Sequence, residues 1–387
     1  MLTGIQSPPP LVCLMWLLST DRAELHNFTD HDAVDGGYAI LSHTWSRSRE
    51  EKLRERTFQD LQALSVKCHK EGWNPRDHAS EKIRNSCILA AKYGYRWIWI
   101  DTCCIDQTSS TELSEAINSM FTWYASAEVC FAYLDDVPTD CKLDAPNSAF
   151  RKARWHTRGW TLQELIAPQI VIFVSATWEP LGNKLNLAVL LSKITGIKKP
   201  VLTHQMPYYN ASVAERMKWA SKRRTTRIED EAYCLLVLFN INMPTIYGEG
   251  LEAFQRLQQE IMKTTEDTSL FAWSLPLAPK AEWSPDHDHD TILDKHLSLL
   301  ASSPSDFMLN VYYSPYTSER VEPYLPGHWK VRKPCARMPV IVSSSCLCHD
   351  RCRPTQRISL GRQMVHLVVS SYRNSSSPTE DWNVVFR

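Results

Sequence analysis

Short apolar runs alternate with amphipathic stretches in the first half of this chain, between Tyr38 and Ser175. The runs have the length and residue types of buried strands, and the stretches between them repeat apolar residues with the spacing of helices. The four strand-like runs cover residues 38–42, 97–100, 130–134 and 170–174. An alternation of this kind favours a parallel sheet with helices on both faces. The sequence therefore predicts an α/β fold.

Three polar residues stand where the first two predicted strands end. Ser42 and His43 close the first run, and Asp101 follows the second directly. In open parallel sheets, ligands bind in the crevice beyond the carboxyl ends of the strands. We therefore expect Ser42, His43 and Asp101 to lie at a ligand-binding edge of the sheet.

The character of the sequence changes along the chain and divides it into regions. Beyond the α/β part, residues 228–239 predict one buried helix and residues 250–262 an amphipathic one. Farther on, proline, serine and aspartate become frequent. The four predicted regions are a disordered N-terminus (1–14), the α/β core (15–185), a helical extension (186–275) and an irregular, β-rich C-terminal region (276–387).

Charge and cysteine content bear on partners and location. Lys plus Arg number 43 and Asp plus Glu also number 43, so no global field attracts nucleic acid or anionic membrane. The apolar run 11–18 is too short to span a bilayer and lacks the flanks of a secretory signal. The twelve cysteines are therefore expected to be reduced thiols, and the protein to be cytoplasmic.

Four sequence blocks in order carry a family resemblance. They read YAILSHTW from Tyr38, YRWIWIDTCCIDQ from Tyr95, RGWTLQELIAP from Arg158 and RIEDEAYCLLVLFNINMPTIYGEGLEAF from Arg227. Together they resemble the heterokaryon incompatibility (HET) domain of fungal vegetative-incompatibility proteins, over roughly residues 15–275. The chain departs from the family pattern at a few positions, which bear on local loop and pocket details: Ser46 replaces a frequent Gly, Gln107 a common Lys and His156 an aromatic.

The resemblance implies a function and a distant relationship. HET domains act in self/non-self recognition and programmed cell death, through self-association or with another incompatibility or NLR-type (nucleotide-binding receptor) protein. They are thought to be distantly similar to TIR domains, which implies a TIR-like (flavodoxin-like) sheet. Some TIR domains cleave NAD with a glutamate four residues after a tryptophan, and the matching residues here are Trp160 and Glu164. The resemblance implies no cofactor, since NAD would be a substrate. A further alternative is that the chain is an inactive adaptor.

Each candidate residue also has a structural explanation. Glu164 shares a helix face with Trp160 if the helix is regular, and it either stabilises a cationic ribose or pairs with Arg158. His43 and Trp45 either contact a nucleotide or order the loop and core. Asp101 and Asp106 either position ribose hydroxyls or cap their own turn.

The C-terminal region contains residue types that suit zinc. These are Cys335, Cys346, Cys348, His349 and Cys352. Their spacing is not that of a standard zinc finger, so solvated or buried thiols are the simpler interpretation, and no metal site is predicted.

Overall fold

The computed structural model describes residues 15–46, 55–273 and 299–308, together with the backbone of three short strands near the C-terminus. The predicted disordered N-terminus (1–14) and the Cys/His cluster of the tail lie outside the described residues. The chain divides into two compact units. The first comprises residues 1–210 and 223–253, and the second comprises residues 211–222 and 254–387.

Seven strands of the first unit form one mixed sheet, in the order β2-β1-β4-β3-β5-β6-β7. The four central strands are mutually parallel, whereas β1, β2 and β7 pair antiparallel to their neighbours. The strands are β1 (Met15–Ser19), β2 (Leu25–Phe28), β3 (Ala39–His43), β4 (Trp97–Ile100), β5 (Val129–Tyr133), β6 (Val171–Val174) and β7 (Pro180–Asn183).

The predicted α/β fold is confirmed, since the four strand-like runs are the four parallel strands. Counted from β3, their order across the sheet is 2-1-3-4, which is the order found in flavodoxin-like doubly wound sheets. That order reverses direction between β3 and β5, so a crevice is expected at the carboxyl ends of these two strands.

Helices connect the strands and continue beyond the sheet. Short 3-10 turns lie between several of them, including Arg154–Thr157 and Val237–Phe239. The helices are α1 (Phe58–Glu71), α2 (Pro75–His78), α3 (Glu81–Lys92), α4 (Ser110–Ser126), α5 (Ala149–Lys152), α6 (Thr161–Ile166), α7 (Ala188–Thr195), α8 (Lys199–Leu202), α9 (Val213–Ala220), α10 (Asp230–Tyr233) and α11 (Glu252–Thr264). Three tail strands, β8 (Gln356–Leu360), β9 (Gln363–Val368) and β10 (Val385–Phe386), form a separate antiparallel sheet.

Aromatic contacts mark the two covered faces of the central sheet. On one face, the Trp99 ring of β4 lies 5.6 Å from Trp123 and 5.8 Å from Tyr124, both on α4. On the other, Tyr93 after α3 meets Phe131 of β5 edge-on at 5.1 Å. Right-handed crossovers account for this division, because the chain moves in opposite directions across the sheet before and after β4.

One predicted helix is wrong. Residues 228–239 do not form one buried helix but the single turn α10 followed by the 3-10 turn Val237–Phe239. The amide groups in this stretch donate mostly to carbonyls three residues back, as in Leu235 to Ala232 and Phe239 to Leu236. Nearly every side chain here is buried, so the sequence shows no one-sided stripe that would reveal tighter turns.

No helix among the described residues is long and apolar enough to cross a membrane.

Candidate functional site

The short helix α6 delivers Glu164 to the carboxyl end of β3. Its first turn is fixed by Arg223, whose Nη1 donates to the Arg158 carbonyl at 2.8 Å and to Thr161 Oγ1 at 2.9 Å. Gly159 precedes the helix, and a Cβ atom there would collide with the side chain of Thr225. The start of α6 therefore requires glycine for close approach rather than for an unusual backbone angle.

Glu164 is buried, with 3% of its surface exposed, and is held by Ser42. The Ser42 hydroxyl donates to Glu164 Oε2, and Ser42 Oγ accepts the indole N–H of Trp155 at 2.6 Å. Burial raises the pKa of Glu164 to about 8, with a further contribution from Asp101, while the Ser42 hydrogen bond and Arg223 oppose the rise. The carboxyl group is therefore mostly protonated at neutral pH.

This placement differs from the expected open setting of Glu164. The side chain forms no ion pair with Arg158, but it is enclosed by protein and does not line an open cleft. Trp160, one turn earlier, lies close enough to Asp230 to oppose the rise that burial causes in the pKa of Asp230. Trp160 occupies the N-cap position of α6, where the preceding loop joins this short helix.

A second group of side chains surrounds His43, the last residue of β3. His43 Nδ1 lies 3.7 Å from Asp101 Oδ1, and Nε2 lies 3.8 Å from Glu55 Oε2. Neither ring nitrogen has a hydrogen-bond partner within the described residues. Burial, together with the Lys82 ammonium, holds the pKa of His43 well below its usual range. A neutral imidazole therefore sits between two carboxyl groups.

Asp101 connects this group to the surface. Its Oδ2 accepts the indole N–H of Trp45 at 2.8 Å, and Trp45 is 44% exposed. Burial raises the pKa of Asp101 to about 7, although the side chain keeps 19% of its surface exposed. The structure thus brings Trp45, His43 and Asp101 together, and Ser42, the residue before His43 on β3, contacts Glu164 of α6.

Asp106 makes its contacts elsewhere. Its Oδ1 accepts from Thr108 Oγ1 at 2.6 Å, from the Thr108 amide at 2.9 Å and from Gln59 Nε2 at 2.6 Å. Hydrogen bonding, first of all to the Thr108 hydroxyl, lowers the pKa of Asp106. These contacts order its own turn ahead of α4.

The carboxyl end of α6 is held by a buried lysine that the sequence did not reveal. Lys184 Nζ donates to the carbonyls of Leu165, at 3.2 Å, and Pro168, and lies 2.9 Å from His204 Nε2. Burial lowers the pKa of Lys184 to about 8. A cation at this position satisfies carbonyls that a helix end leaves without partners.

Replacing Lys184 by methionine is expected to lower the free energy of unfolding by about 2 kcal/mol, because the buried carbonyl of Leu165 loses the Lys184 donor and that of Pro168 keeps only His204 Nε2, at 3.1 Å. Denaturant melting at neutral pH measures the change. Lys199→Met, at an exposed position of α8, is the matched control and should stay within about 0.5 kcal/mol of the wild type. Equal stability of the two variants would contradict a capping role for Lys184.

Other residues of the site also gave no signal in the sequence. Trp155 lies in a 3-10 turn, and Tyr124 is one of several aromatic residues in the apolar stripe of α4. Only their tertiary contacts set them apart. Within the described ranges, no group of three or more His, Cys, Asp or Glu side chains could hold a metal ion.

Comparison with known proteins relates two parts of the sequence to known families. The heterokaryon incompatibility protein (HET) family model matches residues 38–145, and a domain of unknown function (DUF8212) matches residues 252–321. The vegetative incompatibility protein HET-E-1 of Podospora anserina is 45% identical over 232 residues, which make up 58% of this chain and 16% of that relative. No solved structure matches, so the relationship to TIR domains stays a prediction. Residues 38–145 of the chain are thus similar to the HET domain, and the chain spans about a sixth of the length of the relative it matches.

Proposed function

We propose that this chain is a fungal incompatibility effector that triggers programmed cell death when its HET domains associate with one another or with another incompatibility protein. The observation that carries the proposal is the 45% identity to a vegetative incompatibility protein. The protein acts in the cytoplasm, in keeping with the free thiols of all cysteines in the described residues.

A forced-association experiment tests this function. The full chain, fused to a module that dimerises on addition of a small molecule, is expressed in a filamentous fungus. Addition of the small molecule is expected to reduce surviving cells at least tenfold, whereas the module alone has no effect. Unchanged survival, with dimerisation confirmed by cross-linking, would count against signalling by assembly.

The geometry favours a second candidate function, NAD cleavage. In that reaction the bond between nicotinamide and ribose breaks, nicotinamide leaves with the bonding electrons, and water adds to the cationic ribose and releases one proton to solvent. An ionised Glu164 would stabilise the positive charge, as carboxylates do in glycoside hydrolysis. Support comes from its hydrogen bond to Ser42 near the carboxyl end of β3, the side of a doubly wound sheet on which ligands bind.

The neighbouring side chains suit the substrate in this proposal. Trp45 offers an exposed aromatic face for stacking, and Asp101 offers a carboxyl oxygen for ribose hydroxyls. His43, between Asp101 and Glu55, has ring nitrogens without a hydrogen-bond partner among the described residues. Because Glu164 is enclosed, the substrate reaches it only after the site opens. Association of HET domains is the step that opens it, which unites the two candidate functions.

A further inference from the structure

Trp155 connects β3 with the start of α6 through hydrogen bonds at its two ends. Its indole N–H donates to Ser42 Oγ of β3 at 2.6 Å, and its carbonyl accepts from Thr161 Oγ1 of α6 at 2.5 Å. Between them, the ring meets Phe173 of β6 edge-on at 5.5 Å, and only 1% of the residue is exposed. Because the carbonyl, the ring and the N–H group each have a partner, the indole is held with its proton directed at Ser42.

This indole leaves the Ser42 hydroxyl one direction for its own proton. An indole N–H can only donate, so Ser42 Oγ is its acceptor. Within the described residues, Ser42 has one other side-chain hydrogen-bond partner, Glu164 Oε2, and an ionised carboxylate can only accept. The three groups therefore form a series of donors that runs from Trp155 through Ser42 to the carboxylate.

We propose that Trp155 is a positioning residue that acts on Glu164 through Ser42, by holding the Ser42 hydroxyl as a donor and so favouring the carboxylate over the carboxylic acid. The inference rests on the proposed NAD cleavage only for its catalytic meaning. That reaction needs the ionised form of Glu164, which stabilises the cationic ribose.

Two properties of hydrogen bonds transmit the effect of the indole to the carboxyl group. A hydrogen bond to an anion is stronger than one to a neutral acid, so the Ser42 donor favours ionisation. A hydroxyl that accepts one hydrogen bond is polarised and donates a stronger second one. Without the indole, the Ser42 proton is also free to turn away from Glu164, because a serine hydroxyl rotates to suit its partners. The series thus opposes burial, which raises the pKa of Glu164 to about 8.

Infrared spectroscopy of the full chain from about pH 5 to pH 10 tests the inference. The carboxylic acid C=O band that is present in the wild type and absent from Glu164→Gln reports the protonated side chain, and its intensity is expected to fall with a midpoint near pH 8. Ser42→Ala should raise the midpoint by about one pH unit. Trp155→Phe, which keeps an aromatic ring beside Phe173, should raise it by about half a unit. Added to Ser42→Ala, Trp155→Phe should cause no further shift, because its effect passes through Ser42.

The matched control is Trp73→Phe, the same change at a 42% exposed ring that stacks on His78, and it should leave the midpoint unchanged. If Trp155→Phe does not fold, Trp155→benzothienylalanine, which has the size of tryptophan but no N–H group, should give the same shift. If Ser42→Ala does not fold, Ser42→Cys, a weaker donor, takes its place and should raise the midpoint by less.

Three outcomes would overturn the inference: an equal Trp155→Phe shift with and without the Ser42 hydroxyl, no shift, or a downward shift. An equal shift would mean that Trp155 acts by packing and not through Ser42. The band is measured without NAD, so the expected shifts in a protein that does not cleave NAD would remove only the enzymatic function.

Discussion

Glu164→Gln is expected to lower nicotinamide release from NAD by the associated protein about 100-fold or more, because the variant cannot carry the stabilising negative charge. Glutamine reproduces the neutral acid in shape and bonding. Its carbonyl oxygen can accept from Ser42 as the carboxyl oxygen does. The fold should therefore be retained while the chemistry is lost. The wild-type rate should also rise with pH toward about 8, as Glu164 ionises.

Purified protein, fused to the dimerising module and incubated with NAD, provides the measurement. Glu179→Gln, an exposed glutamate beyond β6, serves as the control and should keep the wild-type rate. The same pair of variants separates the two candidate functions in cells. Equal killing by wild type and Glu164→Gln at matched abundance would leave assembly as the cause of death and eliminate NAD cleavage.

Between pH 5 and pH 8, the free energy of unfolding of the wild-type protein is expected to fall by about 3 kcal/mol because of Glu164 alone. Burial raises the folded-state pKa of Glu164 to about 8, against an ordinary value of 4.5. Over this interval the folded chain holds a proton that the unfolded chain has released. The stabilisation is complete below pH 4.5 and is lost as pH rises through about 8.

Comparing wild type with Glu164→Gln at each pH removes the contributions of groups that do not interact with Glu164, and the remaining difference includes the coupling of Glu164 to Asp101. His156, whose pKa is lowered by burial to about 3, works in the opposite direction below pH 6.5 but is common to both proteins. Denaturant melts should show that, from pH 5 to pH 8, the free energy of unfolding of Glu164→Gln rises by about 3 kcal/mol relative to that of the wild type. A constant difference between the two proteins would mean that Glu164 is already ionised in the folded state.

The sequence predicted the central parallel strands of the sheet better than the antiparallel strands on either side of them. Each parallel strand is a run of apolar and β-branched residues covered on both faces, which is a strong local signal. The antiparallel strands β2 and β7 were missed because LHNF and PLGN are short and partly exposed. Their strand geometry depends on a neighbour to pair with. The turns at 230–239 were mistaken for one helix because burial on all sides hides the periodicity.

The site was predictable only where it follows from strand ends. Ser42, His43 and Asp101 lie at the ends of β3 and β4 as expected, because the carboxyl ends of neighbouring parallel strands meet at one edge, and their role in binding a ligand stays a prediction. Trp155 and Lys184 lie 113 and 20 positions from residues that they contact in the structure, Ser42 and His204. Neither spacing nor composition encodes such a contact. The enclosure of Glu164 likewise depends on side chains from three elements that converge only in the fold.

The first compact unit is interrupted after residue 210 and continues at residue 223. The returning segment is bonded to the approach of α6, since the Arg224 amide donates to the Thr157 carbonyl at 2.7 Å and the Gly159 amide to the Arg224 carbonyl at 2.9 Å. A gene segment that ends with the last strand of the sheet would therefore encode a domain in which the start of α6, the helix that carries Glu164, lacks the backbone hydrogen bonds to Arg224. Exon shuffling or gene fusion can move this domain to a new protein intact only if it carries the coding sequence through about residue 253.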